Sequence, residues 1–181
     1  MTWDVGIQGY AAQWDVVTQP LRCPLTGAAR SPVRFERNCF VYDPAEVEIW
    51  FMHRPLQSYG EGHALGLEIW EDGYGLAFSF KPPQSARSLV RGIQDGRYSE
   101  CSVGFSYKSQ GVGAFDSVDW ARVREISIAP RGACPGTQCW TSHTPLNRLS
   151  PAAAALAPRW HAGRLQSLLA EGERIIRAGQ S

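Results

Sequence analysis

The chain has 181 residues, a formal net charge of +1, and 44% hydrophobic against 19% charged residues. That balance excludes extensive disorder and suits one ordinary domain with a single substantial core. The near-neutral charge, with no dense Lys/Arg block, argues against a nucleic-acid partner. The lack of any apolar run near 20 residues argues against a membrane one.

Cysteine usage and the N-terminus point the same way. Five cysteines without regular close spacing do not form a secreted disulfide framework, and the opening MTWDVG has no basic and then apolar leader. A reducing cytoplasm is the expected compartment.

Taken in chain order, the first 140 residues read as short strands broken by turn residues, with no internal repeat. Residues 6–14 suit a first strand. In residues 46–53 (EVEIWFMH), Val47, Ile49 and Phe51 alternate with Glu48, Trp50 and Met52, so the spacing predicts a strand covered on both faces. Leu65, Leu67 and Ile69 alternate in the next run, and Leu76, Phe78 and Phe80 in the one after it. The intervening EDGYG predicts a hairpin, because Asp-Gly tolerates the positive φ of a tight turn.

One helix interrupts the strands. Pro82 and Pro83 stop the preceding strand, Ser85 is placed to cap, and Ala86, Leu89, Val90 and Ile93 recur at helical spacing up to Gly96. Strand patterning resumes at residues 101–108 and 118–128. Many short strands around one inserted helix, near residues 85–95, predict a mainly β fold with peripheral helices, a closed β-barrel.

Beyond Trp140 the composition shifts. Residues 149–160 are Pro- and Ala-rich and read as a linker. Leu165, Leu168, Leu169, Ile175 and Ile176 then make an apolar stripe, predicting an amphipathic C-terminal helix over residues 161–178. The stretch 1–148 is the expected barrel domain.

The residues able to do chemistry are few. In residues 101–107 (CSVGFSY), Cys101, Val103, Phe105 and Tyr107 face one way and Ser102, Gly104 and Ser106 the other. The bulky set is expected to pack inward, leaving Ser102 on the outer face with Gly104 beside it as room for an approaching backbone. His53 closes its strand before Arg54-Pro55, and His63 in the loop after Gly60 is its rival. Asp116, Asp119 and Glu125 are the nearby carboxylates. Cys134 and Cys139 have no second close pair, so no metal or cofactor is expected.

The order of segments resembles the prohead protease family of tailed bacteriophages, itself related in fold to the herpesvirus assemblins. The matching pieces are GYAA at 9–12, FERNCF at 35–40, the strand ending in His53 and LGLEIWEDGYGL at 65–76. They continue with IQDG at 93–96, SVGF at 102–105, VREISI at 123–128 and ACPGT at 133–137. The resemblance implies an assemblin-like barrel and a serine endopeptidase with Ser102 as nucleophile, His53 as general base and Glu125 as third member. It also implies an oxyanion loop at Arg131 and Gly132.

As substrate and partner it implies the major capsid protein precursor with its scaffolding segment, and it implies that the chain also cuts itself. Self-association, and action in the host cytoplasm inside the assembling prohead, follow from the same resemblance. The alternative is a catalytically silent capsid or scaffold interaction protein of the same fold.

Overall fold

The structure is a computed structural model, and it describes residues 5–23, 26–108 and 113–143. The expected domain end at 148, the linker at 149–160 and the helix at 161–178 lie outside the described residues.

The elements run β1 (Gly6–Gln13), β2 (Leu21–Arg22), β3 (Ala29–Arg30), β4 (Val33–Phe35), β5 (Phe40–Val41), β6 (Glu48–Phe51) and β7 (Arg54–Glu61). They continue with α1 (Gly62–Leu65), β8 (Glu68–Glu71), β9 (Gly75–Phe80), α2 (Arg87–Gln94), β10 (Glu100–Tyr107), β11 (Asp116–Val118), β12 (Ala121–Ala129) and β13 (Gln138–Ser142).

The mainly β expectation holds, but the strands do not close into a barrel. They form a four-stranded sheet ordered β13-β1-β9-β8 and a second sheet ordered β10-β12-β6-β7, with β5 also pairing β12. The reason is visible where the sheets meet. Cys139 N–H donates to the Ser99 carbonyl at 3.0 Å just before β10 begins. At the next step the contact is made by a side chain: the Cys101 sulfur lies 2.9 Å from the Tyr10 carbonyl oxygen and 3.3 Å from that of Gln138, with one S–H proton to give between them. Beyond these bonds the two sheets are joined by packing, through one core that includes Ile7, Phe35, Ile49, Leu76, Phe78, Leu89, Val103, Ile126 and Ile128.

Local chemistry accounts for the turns. The β8–β9 hairpin forms as its sequence predicts, but Gly73 is not the reason, since its φ is not positive. Instead the Asp72 carboxylate accepts the N–H groups of Tyr74 at 2.7 Å and Gly75 at 3.1 Å, and closes the turn itself. The helix starts without the expected Ser85 cap. A 3₁₀ turn, Gln84–Ala86, precedes α2, and no side chain caps either element. Its end follows expectation: Gly96 has φ +73°, and the Arg97 and Tyr98 N–H groups return to the Gly92 carbonyl.

The strand β7 has no counterpart in the sequence pattern. Its residues are mostly exposed and do not alternate, and Pro55 sits at its second position. It pairs with β6 alone in its sheet order, so it is an edge strand, where proline is tolerated.

Four buried thiols, Cys39, Cys101, Cys134 and Cys139, are reduced. Burial pushes each above the ordinary value of 9.0, and Cys39, also facing the Glu71 charge, rises to about 12. The unfolded chain releases these protons near the ordinary value while the folded chain retains them. The unfolded state then binds fewer protons, and stability falls as pH rises between about 9 and 12. The thermal midpoint should drop across this range, and Cys39→Ala should reduce the slope. A midpoint that stays flat through the window would contradict this account.

Candidate active site

Register determines what faces what. In the antiparallel pair β10–β12, Ser102 lies opposite Ser127 and Gly104 opposite Glu125, so these four residues share one face. The register shifts just beyond, because Gly104 pairs with Glu125 and Phe105 with Val123, leaving Arg124 as an extra residue. The parallel neighbour β6 sets Glu48 beside Glu125 and Trp50 beside Ser127 on the same face. The Glu48 carboxylate is engaged by the Trp50 indole N–H at 2.7 Å and the Ser58 hydroxyl at 2.9 Å.

That face is not open to solvent. Ser102 is only 5% exposed and Glu125 only 2%. The expectation of an outward Ser102 is thus right about the face and wrong about its exposure. Gly104 also has a different purpose from the one its sequence position suggested. A Cβ there would stand 2.2 Å from Glu125 Oε1 and 2.7 Å from Glu125 Cγ and Cδ. The missing side chain makes room for the carboxylate.

The turn between β6 and β7 consists of Met52 and His53, flanked by the Phe51–Arg54 pair. Both residues have positive φ, +54° and +56°. This is the left-handed conformation that two-residue hairpins demand and usually obtain from Asn-Gly. For two side-chain-bearing residues it costs about 1–2 kcal/mol each. Two hydrogen bonds oppose that cost: Met52 N–H donates to the Ile128 carbonyl at 3.0 Å, and His53 N–H to the Ser127 hydroxyl at 3.0 Å. At roughly 0.5–1.5 kcal/mol net apiece, they offset much of the strain but not all of it. The rest falls to the surrounding pairing of β6.

From this turn the His53 imidazole reaches Glu125. Nδ1 lies 2.6 Å from Glu125 Oε1, and a carboxylate oxygen only accepts, so Nδ1 carries the proton. The second carboxylate oxygen, Oε2, accepts the Ser127 hydroxyl at 2.7 Å. With Nδ1 protonated, a neutral His53 has its lone pair on Nε2, and its side chain is about one third exposed.

The other sequence candidates sit elsewhere. His63 is mostly exposed and pairs with the equally exposed Glu61 at 3.3 Å. Asp116 is buried, accepts the Tyr107 hydroxyl at 3.0 Å, and with burial pushes that phenol up to about 12. Asp119 is exposed. Cys101 shares the inward face, fully buried, and burial holds its thiol neutral, which does not suit a nucleophile. Among the described residues, no three of the His, Cys, Asp and Glu side chains are grouped to hold a metal ion.

Arg131 and Gly132 lie in the loop between β12 and β13, against the start of β10. A Cβ on Gly132 would meet the Cys101 carbonyl oxygen at 2.3 Å, so only glycine fits this close beside Ser102. Its N–H donates to the Glu100 carboxylate at 2.7 Å, and Arg131 is exposed.

Ser127 is the member of this cluster that sequence reasoning missed. A signal was present in residues 121–129 (ARVREISIA), where polar Glu125 and Ser127 alternate with apolar Ile126 and Ile128, and in the structure every residue from Glu125 through Ala129 is buried. Two polar residues two positions apart, Glu125 and Ser127, lie within that buried stretch. Buried polar groups require partners, and on the same face they are within reach of each other.

Among the described residues, no helix is long and apolar enough to cross a membrane. No curated protein matches the chain. Among solved structures, the protease of KSHV in complex with a hexapeptide phosphonate inhibitor matches with 14% identity and a TM-score of 0.43. The match covers 77% of this chain and 65% of that one. A second KSHV protease structure matches with 11% identity and a TM-score of 0.41, covering 83% and 70%. The family model described as caudovirus prohead serine protease matches residues 2–150. With more than half of its length matched, this chain belongs to the caudovirus prohead serine protease family.

Proposed function

We propose that the chain is a serine endopeptidase of prohead maturation. It uses Ser102 as nucleophile, His53 as general base and Glu125 as the carboxylate that orients the imidazole. The observation that carries this reading is the 2.6 Å bond from His53 Nδ1 to a buried Glu125, on the sheet face that also bears Ser102. Membership of the prohead protease family supports the reaction class.

In this mechanism His53 Nε2 takes the Ser102 hydroxyl proton as Oγ attacks the peptide carbonyl carbon. The resulting imidazolium, stabilised by the Glu125 carboxylate, returns the proton to the leaving amine nitrogen as the C–N bond breaks. Water then attacks the acyl ester, giving its proton to Nε2, and Ser102 is regenerated when that proton passes back to Oγ. Glu125 remains ionised throughout.

The oxyanion is assigned to the loop at Arg131 and Gly132, which packs on the Cys101 carbonyl beside Ser102. Since Glu100 holds the Gly132 N–H in this structure, that donor serves an oxyanion only after the Glu100 carboxylate turns away. Losing one such donor typically costs about 100- to 1,000-fold in rate.

The proposed substrates are the scaffolding segment of the major capsid protein precursor and the chain itself. Cleavage would take place inside the prohead, in the host cytoplasm, with copies of the chain self-associated.

Co-expression with the capsid precursor tests the reading. Ser102→Ala should abolish precursor cleavage and labelling by a fluorophosphonate probe while the fold persists, and His53→Ala should do the same where His63→Ala does not. Undiminished processing by Ser102→Ala would remove Ser102 from its role. Absence of any labelling of the wild-type chain, alone or co-expressed, would favour the silent interaction protein.

A second variant tests the geometry. Gly104→Ala puts a methyl where the Glu125 carboxylate lies and should slow probe labelling on the order of 100-fold, by displacing that carboxylate from His53. Labelling at the wild-type rate would show that the Glu125 position does not matter.

A further inference from the structure

We infer that Ser127 is a positioning residue for the reaction proposed above, an assignment that rests on that reading for its catalytic meaning. Its hydroxyl ties the Glu125 carboxylate to the main chain of His53.

The closed circuit of hydrogen bonds is what singles it out. Starting from the His53 main chain, the N–H donates to Ser127 Oγ at 3.0 Å. Ser127 donates in turn to Glu125 Oε2 at 2.7 Å. Glu125 Oε1 then accepts the His53 Nδ1–H at 2.6 Å, which returns to the starting residue. The backbone and side chain of one histidine are thus held by two residues of β12 that are themselves bonded together.

The geometry leaves little to replace the hydroxyl. Ser127 is completely buried and Glu125 almost so. An alanine at 127 would leave Oε2 without its described donor and the His53 N–H without its described acceptor, in a site nearly closed to water. The His53 N–H belongs to a residue held at φ +56°, so losing its acceptor removes one of the two bonds that tether the turn. Loss of the second donor also frees the carboxylate to rotate about its last torsion, which lets the imidazole swing.

A serine present only to satisfy the turn could give its own proton to any acceptor. This one gives it to the carboxylate that orients the imidazole, so one hydroxyl fixes both the origin and the direction of the His53 side chain.

The test compares the full-length wild-type chain with Ser127→Ala and with Ser127→Thr, which keeps the hydroxyl. Two readouts are followed: the second-order rate of labelling by a fluorophosphonate probe, and the downfield proton resonance of His53 Nδ1–H, assigned by its absence in His53→Ala. Ser127→Ala is expected to lower the labelling rate on the order of 10- to 100-fold and to shift or broaden the resonance. Ser127→Thr is expected to restore most of both.

Wild-type labelling and an unmoved resonance in Ser127→Ala would overturn the assignment. Equal losses in the Ala and Thr variants, each with a lowered thermal midpoint, would overturn it too, by showing that the site responds to packing alone. If the wild-type chain is not labelled at all, the protease reading fails by itself. The resonance in Ser127→Ala then still decides whether Ser127 orients His53.

Discussion

A carboxylate with 2% of its surface exposed cannot rely on water for its hydrogen bonds, and the requirement to supply donors to Glu125 organises this part of the molecule. One donor comes from its own strand, the Ser127 hydroxyl two residues on. The other comes from a different hairpin, the His53 imidazole. Space for the group is provided by a third strand, where Gly104 withholds a side chain at the paired position. Three consecutive neighbours in one sheet, β6, β12 and β10, are thereby committed to a single residue. A one-residue slip of β12 against either partner would turn Glu125 towards the hydrophobic core, and burying an unpaired charge there is far costlier than losing a pairing step. The bulge at Arg124 lies just outside this committed stretch, where register can change without disturbing it.

Much of the fold and part of the site were legible because strands alternate. Parity alone put Ser102 and Gly104 on the face opposite Cys101 and Val103, and helical spacing located α2 to within a turn. The roles of Ser102, His53 and Glu125, however, came from the resemblance of ordered segments. Parity says nothing about which distant residues meet. The failures have physical causes. β7 shows no alternation because neither of its faces is buried for most of its length, so hydrophobic patterning has nothing to record. The strands do not close into a barrel, and where β10 meets β1 and β13 the contact is made by a buried thiol, which in sequence looks like any small apolar residue. The β6–β7 turn was hidden for a related reason. Met-His carries no turn signature, and its left-handed backbone is imposed by partners from β12 rather than by its own preferences.

The same comparison corrects what Gly104 means. A glycine next to a nucleophile candidate invites the idea of space for a ligand, and sequence cannot distinguish space for a ligand from space for a neighbour. The register resolves the matter, since the residue opposite is a glutamate whose carboxylate already fills the volume. Gly132 is a parallel case on the other side of Ser102. There the neighbour is the main chain of Cys101, and the glycine brings a loop within reach of β10 that no larger residue would allow.

Two serines face each other across β10 and β12, and their surroundings separate their chemistry. A hydroxyl has one proton to give. Ser127 has committed its proton to Glu125 Oε2 and receives the His53 main-chain N–H on its oxygen. To act as a nucleophile it would have to surrender that proton to a base, yet its acceptor is the carboxylate already hydrogen-bonded to the imidazole, and the oxygen lies beneath a turn with no exposed surface. Ser102 is nearly as buried, but it stands on the outer strand of the same sheet, and the bond at Nδ1 leaves the lone pair of a neutral His53 on Nε2. The proposed division of labour follows from this. Of two identical side chains directly opposite each other on adjacent strands, the hydroxyl bound on both sides holds the base in place, and the one at the sheet edge is left to react.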